Sequence, residues 1–307
     1  MILSVSRRTD IPDYYAKWFL NRIREGYVYV RNPMNIHQVS KINITPDVVD
    51  CIVFWTKNPE PMLNKLEQLQ EYSYYFQFTL TGYGNAMEPF LPSKRERILP
   101  VFQQLSSMIG REKVIWRYDP IIITERYTEE YHLRAFREIA SKLNGYCNKV
   151  IISFVDLYAK TKKNMGEFPV TDRNQNELRR FSAQLAEIAK ANGLKIETCA
   201  ESIDLSSCGI SSGSCIDKKL IEKITGCQLK AGKDKNQRKE CGCIESIDIG
   251  AYDTCQSGCK YCYANSSPET VRKNIALYDA FSPLLCSRIT EKDKITERTV
   301  KSLKAGD

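Results

Sequence analysis

The chain has 307 residues, and 45 Lys and Arg against 37 Asp and Glu leave a formal charge of +8. With 42% hydrophobic and 27% charged residues it can bury a core of ordinary size, which excludes wholesale disorder, and the length suits one large domain or two modest ones. No window approaches the run of roughly 18 apolar residues that a membrane helix needs, and Met1 to Arg8 contain no apolar signal core, so a cytoplasmic protein with no membrane contact is expected.

Short apolar runs at 2–6, 51–56, 75–81, 114–118, 150–156 and 194–199, rich in Val, Ile, Phe, Tyr and Trp, predict buried strands. Amphipathic helices lie between them. Over 128–143 the residues Leu133, Phe136, Ala140 and Leu143 share one face. Over 174–191 Leu178, Phe181, Leu185 and Ile188 do the same, with Thr171 or Asp172 as the expected cap and Gly193 as the stop. Six such units imply an α/β fold with parallel strands, a (β/α) barrel or partial barrel spanning 1–200. Residues 201–307 read as a cysteine-rich metal-cluster segment with a closing strand at 246–251 and a helix at 268–281. The stretch 202–240 reads as loop.

In such a fold the carboxyl ends of the strands line the active face. Those ends are polar here: Arg7-Arg8-Thr9-Asp10, Thr56-Lys57-Asn58-Pro59, Arg117-Tyr118-Asp119-Pro120, Asp156-Leu157-Tyr158 and Thr198-Cys199-Ala200-Glu201. Lys57, Arg117 and Asp119 are expected to project into one mouth. The plainer alternative is an Arg117 ion pair with Asp119 or Glu201 that only stabilises the fold.

Ten of the twelve cysteines fall between 199 and 286. Without an export signal such a cluster reads as metal binding rather than disulfides, and with only His37 and His132 in the chain mixed Cys/His zinc sites are not expected. The sharpest pattern is Cys255-x3-Cys259-x2-Cys262, with Tyr261 and Tyr263 flanking the third cysteine. Three thiolates on one tight loop can hold three irons of a [4Fe-4S] cube and leave the fourth iron open. Cys241-Gly-Cys243, with Cys215 and either Cys199 or Cys208, can supply a second four-thiolate centre, [4Fe-4S] or Zn; Cys199, at a strand end, is the expected fourth ligand. Cys51, Cys147, Cys227 and Cys286 read as packing.

The C-x3-C-x-aromatic-C loop, preceded by Ile247-Asp-Ile-Gly-Ala-Tyr-Asp-Thr, resembles the radical S-adenosylmethionine superfamily. The whole chain resembles an uncharacterised bacterial family that shares such a terminal cluster. Phe54-Trp-Thr-Lys-Asn-Pro59 and Trp116-Arg-Tyr-Asp-Pro-Ile121 are similar to strand-end motifs of the spore photoproduct lyase-like branch. In that superfamily the motif follows the first strand, whereas here it lies near the carboxyl terminus, so the resemblance implies a circular permutation with the last strand beside the first. It also implies a [4Fe-4S] cluster, S-adenosylmethionine, a low-potential electron donor and radical chemistry on a substrate the sequence does not name. Lys57 or Arg117 is then expected at the cofactor carboxylate, Asp119 at its ribose, and Tyr261 beside the adenine.

Two other readings remain open at the level of sequence. One is a non-catalytic zinc or iron–sulfur protein that binds nucleic acid; the other is an iron–sulfur electron-transfer protein. Residues 217–240 carry eight Lys or Arg against four acids, a possible phosphate footprint, but few aromatics are interleaved to stack bases, so nucleic acid is not favoured. No Walker loop, G-x-G-x-x-G, H-E-x-x-H or G-x-S-x-G motif is present.

Overall fold

The computed structural model describes residues 1–156 and 159–305. An eight-stranded sheet, parallel throughout, forms the centre. Numbered in chain order, its strands are β1 (Ile2–Val5), β4 (Cys51–Thr56), β5 (Tyr74–Thr79), β6 (Val114–Ile121), β7 (Lys149–Phe154), β8 (Lys195–Cys199), β9 (Ser211–Gly213) and β10 (Ile247–Asp248). Their spatial order is β10-β1-β4-β5-β6-β7-β8-β9. The architecture is a partial (β/α) barrel, with β10 and β9 as its two edges. A second sheet pairs β2 (Tyr27–Asn32) antiparallel with β3 (Asn35–Asn43), and β11 (Lys294–Arg298) parallel with β3.

Because side chains alternate along a strand, the central sheet has two distinct faces. Leu3, Val5, Phe54, Phe76, Phe78, Trp116, Val150 and Ile152 pack outward into the main core, which includes Phe102, Phe136, Phe181 and Leu185 from the flanking helices. Ile2, Val53, Tyr75, Ile115 and Ile151 face the other way, against Cys215, Ile216, Ile221, Cys241 and Cys243. The cysteine-rich segment therefore covers the inner face of the sheet.

The helices begin and end where their chemistry requires. Glu129–Leu143 starts at Thr128, whose hydroxyl accepts from the Tyr131 amide. Gln175–Ala191 starts at Asn174 rather than Thr171 or Asp172, because Asn174 and Glu177 form a reciprocal capping box. Within the stretch expected to be loop, Lys218–Thr225 is helical, capped by Asp217 and ended by Gly226 in the left-handed conformation. The closing strand shrinks to two residues and the last helix to Pro268–Ile275. Leu157 and Tyr158 lie outside the described residues. Among the described residues, no helix is long and apolar enough to cross a membrane.

Candidate functional site

β10 is short but firmly placed. It pairs with β1 through Leu3 opposite Ile247 and Ser4 opposite Asp248. The Asp248 carboxylate accepts from the Ser4 hydroxyl at 2.8 Å, the Ser6 hydroxyl at 2.6 Å, the Arg7 amide at 2.8 Å and the Gly250 amide at 3.0 Å. Gly250 must be glycine, since a Cβ there would run into the Ser6 side chain. This junction delivers the cysteine loop to the carboxyl ends of β1, β4 and β5. The Tyr15 hydroxyl donates to the Thr254 carbonyl at 2.6 Å, the Lys260 amide to the Met87 carbonyl at 3.0 Å, and the Tyr263 hydroxyl to the Arg7 carbonyl at 2.7 Å. At Gly258, whose φ is +66°, a Cβ would strike the Phe90 ring.

The loop meets a buried ionic network at this mouth. Lys57 Nζ donates to the Glu88 carboxylate and to the Tyr261 hydroxyl, both at 2.8 Å. Tyr261 in turn donates to Glu88. Lys94 also pairs with Glu88 and donates to the Thr81 and Tyr83 carbonyls at 3.0 and 2.5 Å. One buried carboxylate thus faces two ammonium groups. Burial alone would raise the Glu88 pKa, but Lys57 and Lys94 outweigh it and hold the group at about 2. For Lys57, burial is outweighed by Glu88 and Cys259, and its pKa rises. The Lys57 amide donates to Asp10 at 2.7 Å, and burial pushes Asp10 up to about 6.

Cys255, Cys259 and Cys262 sit over this network. Burial raises all three thiols; Cys262 adds to the rise of Cys255, and Cys255 and Cys262 both add to that of Cys259. Lys57 opposes the rise at Cys259 and Cys262. The Ala264 amide donates to the Cys262 sulfur at 3.3 Å. Nearby, Thr9 Oγ1 and Asn265 Oδ1 are buried without hydrogen-bond partners. Three buried thiols thus stand beside a carboxylate that faces two ammonium groups.

Arg117 and Asp119, expected with Lys57 at one mouth, take partners outside the Lys57–Glu88–Tyr261 network. Arg117 is near the middle of β6 and points to the inner face. It donates to the Cys215 sulfur at 2.6 Å and pairs with Asp119, which also accepts from Ser153. The Arg117–Asp119 pair of the plainer alternative is therefore present, whereas Glu201 caps the Phe154 amide at 2.8 Å. Arg117 shares the inner face with Ile115, and there it meets Cys215 of the covering cysteine-rich segment.

The cysteines named for a second centre converge there. Cys199 and Cys215 sulfurs are 3.0 Å apart, and Cys243 interacts electrostatically with both Cys215 and Cys241. Those contacts lower the pKa of Cys199 and Cys243, with help from Arg117 and Arg7 respectively, and raise that of Cys215 and Cys241. Cys208 instead donates to the Arg179 carbonyl. Among the described residues, no group of three or more His, Cys, Asp or Glu side chains has the arrangement of a metal site. Glu88 escaped sequence reasoning. It belongs to no strand end or spacing, and the one available signal was a lone acid inside the otherwise apolar run Ala86-Met87-Glu88-Pro89-Phe90-Leu91.

Residues 2–264 match the family model described as a domain of unknown function, DUF1848, and the chain belongs to that family. No curated protein matches it.

Proposed function

We propose that this member of the DUF1848 family is an iron–sulfur enzyme of the radical S-adenosylmethionine type, acting on a substrate that neither motif nor fold identifies. Cys255, Cys259 and Cys262 would hold the [4Fe-4S] cluster. When bound, such a cluster offers its open iron to the amino and carboxylate groups of S-adenosylmethionine and supplies the electron, drawn from a low-potential donor, that releases a 5'-deoxyadenosyl radical.

The observation that carries this reading is the placement of the C-x3-C-x2-C loop over the carboxyl ends of parallel strands, held to Lys57 through Tyr261. A permuted member of that superfamily requires a last strand beside the first, and the pairing of β10 with β1 supports it. The chain's own residues have separable roles. Lys57, tethered by Glu88, keeps positive charge beside Cys259 and favours its thiolate. Tyr261 closes the floor of the loop with its ring 5.6 Å from that of Tyr83 and excludes water. Thr9 and Asn265 carry unsatisfied polar atoms that a polar cofactor would engage.

The test is anaerobic reconstitution with iron and sulfide, followed by reduction and S-adenosylmethionine. The wild type is expected to release 5'-deoxyadenosine slowly without substrate and to change its cluster spectrum on adding S-adenosylmethionine; Cys259→Ala is expected to do neither. A reconstituted protein that leaves S-adenosylmethionine intact and its spectrum unchanged is an electron carrier. Absence of acid-labile sulfide would leave only a zinc-binding role.

A further inference from the structure

The inner face of the sheet carries a second chemistry whose residues the reading above does not use as cluster ligands. We infer that Cys199, Cys215, Cys241 and Cys243 form a mononuclear, tetrahedral four-thiolate site for zinc, which locks the cysteine-rich segment onto the sheet.

Three separate stretches of chain bring these sulfurs together. Cys199 ends β8, Cys215 follows β9, and Cys241 and Cys243 flank Gly242. That last segment is pressed so closely against Ser214 that a Cβ at Gly242 would lie 2.5 Å from the Ser214 hydroxyl oxygen. Cys215 itself is fixed from the sheet, for its carbonyl accepts from the Tyr75 hydroxyl at 2.6 Å and from Gln77 Nε2 at 2.8 Å. The Cys199 and Cys215 sulfurs are 3.0 Å apart, and Cys243 interacts with both Cys215 and Cys241, so the four thiols share one neighbourhood.

The surroundings suit thiolates. Arg117 Nη1 donates to the Cys215 sulfur at 2.6 Å and the Ile216 amide to the Cys243 sulfur at 3.3 Å. The Arg7 and Arg117 guanidiniums both lie over the Trp55 ring, at 5.1 and 5.2 Å. Arg7 Nη2, buried in this neighbourhood, has no hydrogen-bond partner. Donors directed at sulfur are the outer-shell partners that thiolate sites use, and cations offset the net negative charge that four thiolates leave around a divalent ion.

Spacing chooses between a single ion and a cluster. Zinc–sulfur bonds of roughly 2.3 Å set tetrahedral sulfur–sulfur edges of about 3.8 Å. Cys199 and Cys215 at 3.0 Å need to part by less than ~1 Å to reach that edge, a movement within reach of small side-chain rotations. A four-iron cube holds its ligand sulfurs farther apart than a single ion does, so the single ion asks for the smaller movement from Cys199 and Cys215. The donor set, soft and without histidine, suits zinc.

The experiment uses the full chain carrying Cys255→Ala, Cys259→Ala and Cys262→Ala, so that the mouth loop contributes no metal. Failure of the radical reading leaves this arm untouched. That protein is expected to retain about one zinc per chain without acid-labile sulfide. With cobalt(II) in place of zinc it should show thiolate-to-cobalt charge transfer and the visible bands of a tetrahedral ion. Further replacement of Cys241 or Cys243 by Ser is expected to abolish both, whereas Cys208→Ser or Cys227→Ser keeps them. Should the Ser variants not fold, the cobalt spectrum of the folded parent decides, since its charge-transfer intensity counts thiolate ligands. Roughly four irons with matching sulfide in the parent, an octahedral or oxygen-rich cobalt spectrum, or no metal at all would overturn the inference.

Discussion

Replacing Glu88 by Gln keeps the shape of the side chain and removes the single negative charge between Lys57 and Lys94. Glu88 is about 1% exposed, so solvent cannot take its place. Its pKa falls from 4.5 to about 2 in the folded protein, which corresponds to about 3 kcal/mol at 1.36 kcal/mol per unit. Breaking a buried ion pair by removing one partner costs roughly 3–5 kcal/mol, so two separate routes give the same size. The expected result is a loss of about 3 kcal/mol in urea unfolding at pH 7. The sign of the pH dependence is fixed as well. A carboxylate whose folded pKa is depressed stabilises above its unfolded pKa and loses that contribution as pH falls through the folded value. The difference between wild type and Glu88→Gln should thus be full above about pH 4.5 and gone near pH 2. Adding Lys94→Met, which removes the unpaired second cation, should recover much of the loss. A deficit below ~1 kcal/mol, or one unchanged down to pH 2, would show that the network is solvated and that Lys57 is not held by Glu88.

Asp10 and Asp13 behave in the opposite sense. Burial raises them to about 6 and about 8, and Asp10 adds to the rise of Asp13. A carboxyl with a raised folded pKa favours folding while protonated, so stability should decline as pH climbs from 3.8 to about 6 through Asp10 and on to about 8 through Asp13, and Asp10→Asn should flatten the lower part of that decline in urea titrations at stepped pH. Gly250→Ala forces a methyl group into the Ser6 side chain; a destabilisation of about 1–3 kcal/mol is expected by thermal unfolding, with faster amide exchange in residues 247–262. Tyr261→Phe removes the hydroxyl shared by Lys57 and Glu88 and should cost about 1–3 kcal/mol while lowering 5'-deoxyadenosine release. If the basic stretch is only a solvated face, neutralising Lys233, Lys235 and Arg238 should leave nucleic-acid retention at low salt unchanged, as measured by a filter assay.

The buried strands were the most legible part of the sequence, because strands covered on both faces read as continuous apolar runs. β4 was expected at 51–56 and is found as Cys51–Thr56. β2, β3 and β11 were invisible for the converse reason: they make a small sheet in which Met34 and Ile36 are exposed and β11 reads Lys-Ile-Thr-Glu-Arg. Its stability comes from pairing with residues some 250 positions away, which no local window can see. Helix Lys218–Thr225 was hidden by its lysines, which suggested charge rather than periodicity. Lys57 follows β4 and the cysteine loop follows β10. The Cys215 partner of Arg117 was not legible, because it comes from the segment that covers the inner side of the sheet. Glu88 was missed because its role is set by two lysines brought to it from different segments.

The pairing of β10 with β1 joins residues 244 positions apart, and this long reach orders the steps of assembly. Six central strands, β1 and β4 to β8, can associate through neighbours close in sequence, but the mouth exists only after β10 docks. Closing so large a loop is slow and entropically opposed, and the sheet edge at β1 stays open until it happens. Until then the loop of Cys255, Cys259 and Cys262 has no strand ends to sit over. If these thiols hold the cluster proposed above, its loading and the docking of β10 become linked, and the cluster is expected to raise the stability of the β10–β1 edge.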